Sequence, residues 1–307
     1  MDKREIEDAV ILLFEKAQLD DFPQLTPNVR QQQYWALTFS ESAAYSFNKF
    51  ESSMDDRFNI TMLHRRDSTL PAPLKRMDLK QHKYEGARNY ALNKTKGAYV
   101  YVSNCNSVGY NRMELIEILQ KYIPVDIFGT CTHVIPCADR NGDCESKLHK
   151  NYRFYLSFEN SLCADYITEK FWLRLGSAAN VIPIAMGGTN LSDYLTSVTP
   201  PDSYIHVRNF TDIPTLGKYL QFLMSNDQAY NRYHRWRDNF SLTVNLLRYP
   251  GCELCKIAYE KPRMPAVKDL SSWWNDEGSC AHYPWMVWDT NTIQPLLRYN
   301  VLFHHVV

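Results

Sequence analysis

Along the first third of the chain, apolar residues come in short runs of strand length: Ala9 to Phe14, Tyr34 to Phe39 and Asn59 to Leu63. Polar and proline-bearing stretches such as Asp20 to Pro27 separate them. A linker-like segment follows, from Asp67 past Pro71 and Pro73 to the polar stretch Lys80 to Lys96, and predicts a domain boundary near residues 68–97. From Ala98 the pattern becomes regular. Ala98 to Val102, Val125 to Phe128, Phe154 to Phe158, Val181 to Met186 and Tyr204 to Val207 have strand character. Between them, Arg112 to Tyr122 carries Met113, Ile116, Leu119 and Tyr122 at helical spacing, Thr168 to Ala179 reads as a helix, and Pro214 to Trp236 as mostly helical. Strands alternating with helices predict an α/β fold, a largely parallel sheet with helices on both faces. In such sheets ligands bind beyond the carboxyl ends of the strands. Attention therefore falls on Ser103 to Arg112 and Glu159 to Lys170.

Composition narrows the field. The 307 residues suffice for two domains. With 34 Lys+Arg against 34 Asp+Glu and no basic block, there is no electrostatic reason to expect nucleic acid or an anionic membrane as a partner. The 22% charged and 13% aromatic content excludes a disordered or fibrous chain. No run approaches the roughly 18 to 20 apolar residues of a membrane-spanning helix. Ala9 to Phe14 is flanked by acidic residues and lacks the basic start of a signal peptide. The protein is therefore expected either to work in the cytosol or to have its targeting segment outside this sequence. Eight cysteines, the first at Cys105, and five glycosylation sequons at Asn59, Asn93, Asn190, Asn209 and Asn239 lean toward a lumenal compartment.

Phe154 to Phe171, FYLSFENSLCADYITEKF, is the most informative stretch. A strand ends in Glu159-Asn160, a loop follows, and Thr168 opens a helix with Glu169 and Lys170 in its first turn. Free N–H groups at the helix start, its positive dipole end and the Lys170 charge together suit a phosphate; a solvated surface lysine is the alternative. Glu159 is either functional or a structural acceptor for the loop behind it.

This segment closely resembles the signature of the α1,3/α1,4-fucosyltransferase family (glycosyltransferase family 10): a strand, F-E-N-S, a few residues, then D-Y-I-T-E-K. Similarity extends from about Glu7 to Asn275, through Asn59 to Ser68, Val102 to Arg112, Val181 to Gly188 and Ser203 to Val207, and the chain resembles invertebrate members most. The resemblance implies a GT-B arrangement of two Rossmann-like domains, the N-terminal one incomplete: an acceptor-side domain over 1–92, a GDP-fucose-binding donor domain over 93–275, and an unmatched extension over 276–307. It implies an inverting transfer of fucose to a hydroxyl, typically O3, of N-acetylglucosamine in a glycoprotein glycan. Such a reaction needs a base, charge neutralisation for the departing diphosphate and support for positive character on the sugar. Carried onto matching positions, Lys170 and Arg112 would neutralise the diphosphate, with Ser103 and Asn104 donating hydrogen bonds. Tyr155, Asn160 and Tyr166 would surround the nucleotide, and Glu169 would orient the sugar. The chain contains no Asp-x-Asp, so fixed cations are expected in place of a required metal cofactor, a divalent ion being at most stimulatory. The base would come from the other domain. WALTFSES, Trp35 to Ser42, resembles the family's W-x-W-x-x-x-E-S and nominates Glu41, although Leu37 stands for the second tryptophan and Ala43 for the usual proline.

Cys252-x-x-Cys255 without a second pair is weak evidence for a metal. In the family this pair is disulfide-bonded to N-terminal cysteines, which this chain lacks. Cys131, Cys137, Cys144 and Cys163 resemble the cysteine-rich loop of members that fucosylate the N-glycan core, and pairing among them is expected. DRNGDCE over Asp139 to Glu145 reads as a polar turn, and His304-His305 as tail residues. Family members carry a cytoplasmic tail, a membrane anchor and a stem ahead of the position of Glu7, so the resemblance implies a chain that starts inside its first domain and a full-length form on the lumenal side of the Golgi as a single-pass type II protein. The competing readings are a catalytically inactive GDP- or glycan-binding protein and a nucleotide-sugar sensor.

Overall fold

The computed structural model describes residues 3–15, 22–44, 50–72, 76–81, 88–107, 110–136, 149–177, 180–188, 199–245, 249–275 and 280. Helix α1 (Lys3–Asp8) leads into β1 (Ile11–Glu15), α2 (Pro27–Gln32), β2 (Tyr34–Thr38) and β3 (Ile60–Met62). The three strands pair in parallel in the order β1-β2-β3. The central strand β2 is apolar and buried through Trp35, Ala36 and Leu37 because both of its faces are covered. Trp35 and Leu37 pack with Leu12, Phe14 and Phe58 on one face, while Ala36 packs with Ile60 on the other.

β4 (Arg76–Gln81) precedes the larger sheet, built from β5 (Lys96–Tyr101), β6 (Val125–Phe128), β7 (Tyr152–Phe158), β8 (Ile182–Met186) and β9 (Ile205–His206). Its strands are parallel in the order β6-β5-β7-β8-β9. The period of two sorts their side chains. Ala98, Val100, Phe154, Leu156, Phe158, Ile182 and Ile184 point to one face. There they meet α3 (Arg112–Gln120), through Leu115, Ile116 and Leu119, and α5 (Ile213–Ser225), through Leu216, Leu220 and Leu223. Tyr99 and Tyr155 point to the other face, where Ala185 meets α4 (Glu169–Leu175) through Phe171, Trp172 and Leu175. After α5 come α6 (Asp227–Arg232), β10 (Phe240–Asn245), α7 (Tyr249–Glu260) and α8 (Leu270–Asn275).

Several expectations change. The segment read as a linker contains β4, which pairs antiparallel with β10, far along the chain. The helical stretch from Pro214 to Trp236 breaks at Asn226, whose side chain accepts from Ala229 N at 2.9 Å and starts α6. Residues 249–275 return to the N-terminal sheet. Ile257 packs on Ala36 and Ile60. Leu270 and Trp274 complete the cluster of Leu12, Trp35 and Phe58. Asn275 clamps Phe50 from both sides, accepting from its N–H at 3.0 Å and donating to its carbonyl at 2.6 Å. The small sheet needs apolar cover that residues 249–275 supply.

The described cysteines do not pair within the expected group. Cys131 bonds to Cys105 and Cys163 to Cys280, while Cys252 and Cys255 are free and exposed. Cys137, Cys144, the Asp139 to Glu145 turn, Asn190 and His304-His305 lie outside the described residues. The Asn59 sequon is built into the fold: Asn59 accepts from Trp35 N–H and donates to the Met264 carbonyl, each at 3.0 Å, and Thr61 is buried. Asn93, Asn209 and Asn239 are exposed.

Trp274 is fully buried. Trp274→Ala is expected to cost about 3–5 kcal/mol of stability, read as a fall in the urea unfolding midpoint. A loss below about 1 kcal/mol would mean that α8 does not hold the N-terminal sheet.

Candidate functional site

The chain leaves β5 through α3 to reach β6 on one side, and leaves β7 through α4 to reach β8 on the other. The crevice between the carboxyl ends of β5 and β7 is thus a topological switch point, where sheets of this kind bind ligands. A cleft of about 280 Å³ opens there, lined by Tyr101, Ser103, Asn104, Arg112, Tyr155, Asn160, Glu169, Lys170, Leu173 and Arg174. Seven of these, all but Tyr101, Leu173 and Arg174, are residues that the sequence nominates.

Lys170 owes its position to a buried carboxylate. Glu159 follows the last residue of β7 and is 2% exposed. It accepts from Thr168 N–H at 2.8 Å, from the Thr168 hydroxyl at 2.7 Å and from Lys170 Nζ at 3.3 Å. The Thr168 oxygen in turn caps α4 by accepting from Lys170 N–H at 3.3 Å. Glu159 therefore has the structural role. Gly187 makes room for it: a Cβ there would lie 2.7 Å from Glu159 Cγ. Burial pushes the Glu159 carboxyl up, against the pull of Lys170 and the Thr168 hydrogen bonds. Burial also works to lower the Lys170 ammonium, but the charges of Glu159 and Glu169 outweigh it and hold it above the ordinary lysine value. The helix start differs from expectation. N–H groups of Thr168 and Lys170 are already taken by Glu159 and the Thr168 hydroxyl, so α4 offers the cleft an ammonium more than a row of free N–H donors.

Arg112 also departs from a simple surface cation. It is 1% exposed, and its guanidinium donates to the Phe158 carbonyl at 3.1 Å and to the Asn104 carbonyl. It ties the ends of β5 and β7 together and borders the cleft from below. Tyr110 adds a second tie by donating to the Glu159 carbonyl. Tyr155 is buried, with its hydroxyl pushed up by that burial. Glu169 is half exposed, 3.6 Å from Lys170 Nζ.

Two nominated residues lie outside the cleft lining. Tyr166 is buried and turned toward the small sheet, where its hydroxyl donates to Glu41 Oε2 at 3.4 Å and its ring meets the edge of His64 at 5.1 Å. Glu41 sits exposed on the turn after β2. Beside it, Ser42 accepts from the Ser161 hydroxyl at 2.6 Å, both serines fully buried. The carboxyl ends of β2 and β7 are thus in contact, and Asn160 is the cleft residue next to that contact. Among the described residues, no group of three or more His, Cys, Asp or Glu is placed to hold a metal ion, and no helix is long and apolar enough to cross a membrane.

Sequence reasoning missed Tyr101, Leu173, Arg174 and His64. Leu173 and Arg174 had a signal, since they follow Lys170 at the i+3 and i+4 spacing of one helix face.

His64 and His206 are buried imidazoles, and His64 Nδ1 and His206 Nε2 have no hydrogen-bond partner among the described residues. Burial, with Arg65 beside one and Arg208 beside the other, lowers them to about 4 and about 3. In the unfolded chain both titrate near 6.5. The unfolded state therefore takes up protons first, and the stability tied to these groups is complete above about pH 6.5. It is lost as pH falls toward 4, by about 1.4 kcal/mol per pH unit for each imidazole. Urea midpoints are expected to drop between pH 7 and pH 5, less steeply in His64→Phe; a midpoint independent of pH contradicts this.

The family model described as "Glycosyltransferase family 10 (fucosyltransferase) C-term" matches residues 91–273. Among curated proteins, the glycoprotein 3-alpha-L-fucosyltransferase A of Drosophila melanogaster is 38% identical over 237 residues, covering 75% of this chain and 46% of the relative. An alpha-(1,3)-fucosyltransferase of Caenorhabditis elegans is 31% identical over 195 residues, covering 61% of this chain and 43% of the relative. The chain spans less than half the length of these relatives. Among solved structures, a crystal structure of an alpha1,3-fucosyltransferase is 17% identical with a TM-score of 0.49, covering 74% of this chain and 70% of that one. Another, with GDP-fucose, is 23% identical with a TM-score of 0.38, covering 46% and 38%.

Proposed function

Because the chain belongs to glycosyltransferase family 10, the fucosyltransferases, we propose that it transfers L-fucose from GDP-fucose to O3 of N-acetylglucosamine in a glycoprotein glycan, with inversion at the anomeric carbon. The observation that carries this reading is the convergence of Ser103, Asn104, Arg112, Tyr155, Asn160, Glu169 and Lys170 on one cleft, whose Asn160 side adjoins the turn of Glu41.

In the proposed step Glu41 takes the proton of the acceptor hydroxyl as its oxygen attacks the anomeric carbon. The bond from that carbon to the diphosphate breaks on the opposite side, and its electron pair leaves on the terminal phosphate oxygen of GDP. Lys170, held as a cation, meets the charge that develops there, and a donor fixed in advance needs no rearrangement during the step. Glu169, beside Lys170, supports positive character on the sugar. Ser103 and Asn104 donate hydrogen bonds to the phosphates. Arg112, with its Nη groups on carbonyls, contributes its positive charge from below and the shape of the Asn104 loop. In this reading the fixed cations serve in place of a metal, and no cofactor is required. The Cys105–Cys131 and Cys163–Cys280 bonds and the exposed sequons at Asn93, Asn209 and Asn239 support work in an oxidising lumen, that of the Golgi.

A second reading, a GDP- or glycan-binding protein without transfer, draws on the position of Glu41, which does not line the cleft. One experiment separates the two. The purified chain is incubated with GDP-fucose and a panel of glycans, and both GDP release and the mass gain of the glycan are followed. Transfer that falls at least about a hundredfold in Glu41→Gln and in Lys170→Ala is the expected result; GDP binding without turnover on any acceptor supports the second reading instead.

A further inference from the structure

The cleft has an end that the transfer step leaves unused. With the sugar on the Asn160 side near Glu41 and the diphosphate at Lys170, the nucleoside is left with the part of the cleft around Arg174, which Tyr101, Tyr155 and Leu173 also line. Arg174 stands one helical turn, about 6 Å, beyond Lys170. Its guanidinium lies over the Tyr155 ring at 4.9 Å, with Tyr101 at 5.8 Å and Tyr99 at 5.9 Å. Three rings thus surround a planar donor group that borders the ligand space. Leu173 beside it is 39% exposed, an apolar surface on which a flat ring can rest.

We propose that Arg174 reads the nucleobase of the donor and selects guanine. This rests on the GDP-linked donor of the preceding section. A guanidinium has five N–H donors and no acceptor. Guanine offers two adjacent acceptors, O6 and N7, which a guanidinium meets with two parallel hydrogen bonds. Adenine has N7 and an amino donor along the same edge, so Arg174 meets one acceptor and one opposing donor. A lysine keeps the charge but lacks the fork.

The test is calorimetric titration of the full chain, and of Arg174→Lys and Arg174→Ala, with GDP and with ADP. The intact chain is expected to favour GDP by at least about tenfold. Both variants are expected to lose most of that preference, GDP weakening about tenfold or more while ADP changes by less than about threefold. Arg174→Lys decides the matter if Arg174→Ala does not fold. Variants that keep the GDP-to-ADP ratio overturn the inference alone, whether both affinities stay or both fall together, as they would if Arg174 served the phosphates. An intact chain that binds the two nucleotides equally sinks the inference together with the donor assignment.

Discussion

A buried carboxylate must be matched by charge and hydrogen bonds or it will not stay ionised. Glu159 is such a group, and the site is arranged around matching it. Its two oxygens collect the N–H and hydroxyl of Thr168 and the ammonium of Lys170, so one side chain sets where α4 begins and where its cation points. Gly187 leaves the space that this carboxylate fills, and Tyr110 and Arg112 tie down the carbonyls at the end of the strand that carries it. A buried ion pair of this sort does little for net stability, because desolvation offsets the attraction. What it provides is a cation whose position is fixed before any ligand arrives.

The second constraint is that the two parallel sheets meet at their carboxyl ends. The buried Ser42–Ser161 hydrogen bond joins the turn after β2 to the loop after β7. Glu41 and Asn160, the neighbours of those serines, are thereby brought near each other, and Tyr166 reaches from the same loop to Glu41. The turn that carries the candidate base and the loop that borders the cleft are thus mechanically linked. The chain segment of 249–275 fits the same logic: by packing Trp274 and Ile257 onto the small sheet, it holds the platform from which Glu41 projects.

The strands and helices from Ala98 to Val207 were legible because each carries its own local pattern, apolar runs of strand length or helical spacing closed by turn residues. Lys170, Asn160 and Glu169 could be nominated together because they sit in one contiguous segment. What could not be read depends on partners far along the chain. β4 has no strand signal of its own and exists through β10. Arg112 looks like a surface cation until topology sets the Phe158 and Asn104 carbonyls around it. Tyr166 lies within the donor segment by sequence, yet the backbone turns it toward Glu41. The pairing of Cys163 with Cys280 likewise has no local mark.

The central claim, that Glu159 serves the site by holding Lys170, is tested most directly by GDP titration of Glu159→Gln, Lys170→Met and the double variant. Two effects oppose each other in Glu159→Gln: a negative charge near the phosphates is removed, which favours GDP, and the anchor of Lys170 is weakened, which disfavours it. If positioning dominates, GDP binds about tenfold more weakly to Glu159→Gln, and the double variant is no worse than Lys170→Met alone, since the carboxylate acts through the ammonium. Tighter GDP binding to Glu159→Gln, or losses that simply add in the double variant, would contradict the account.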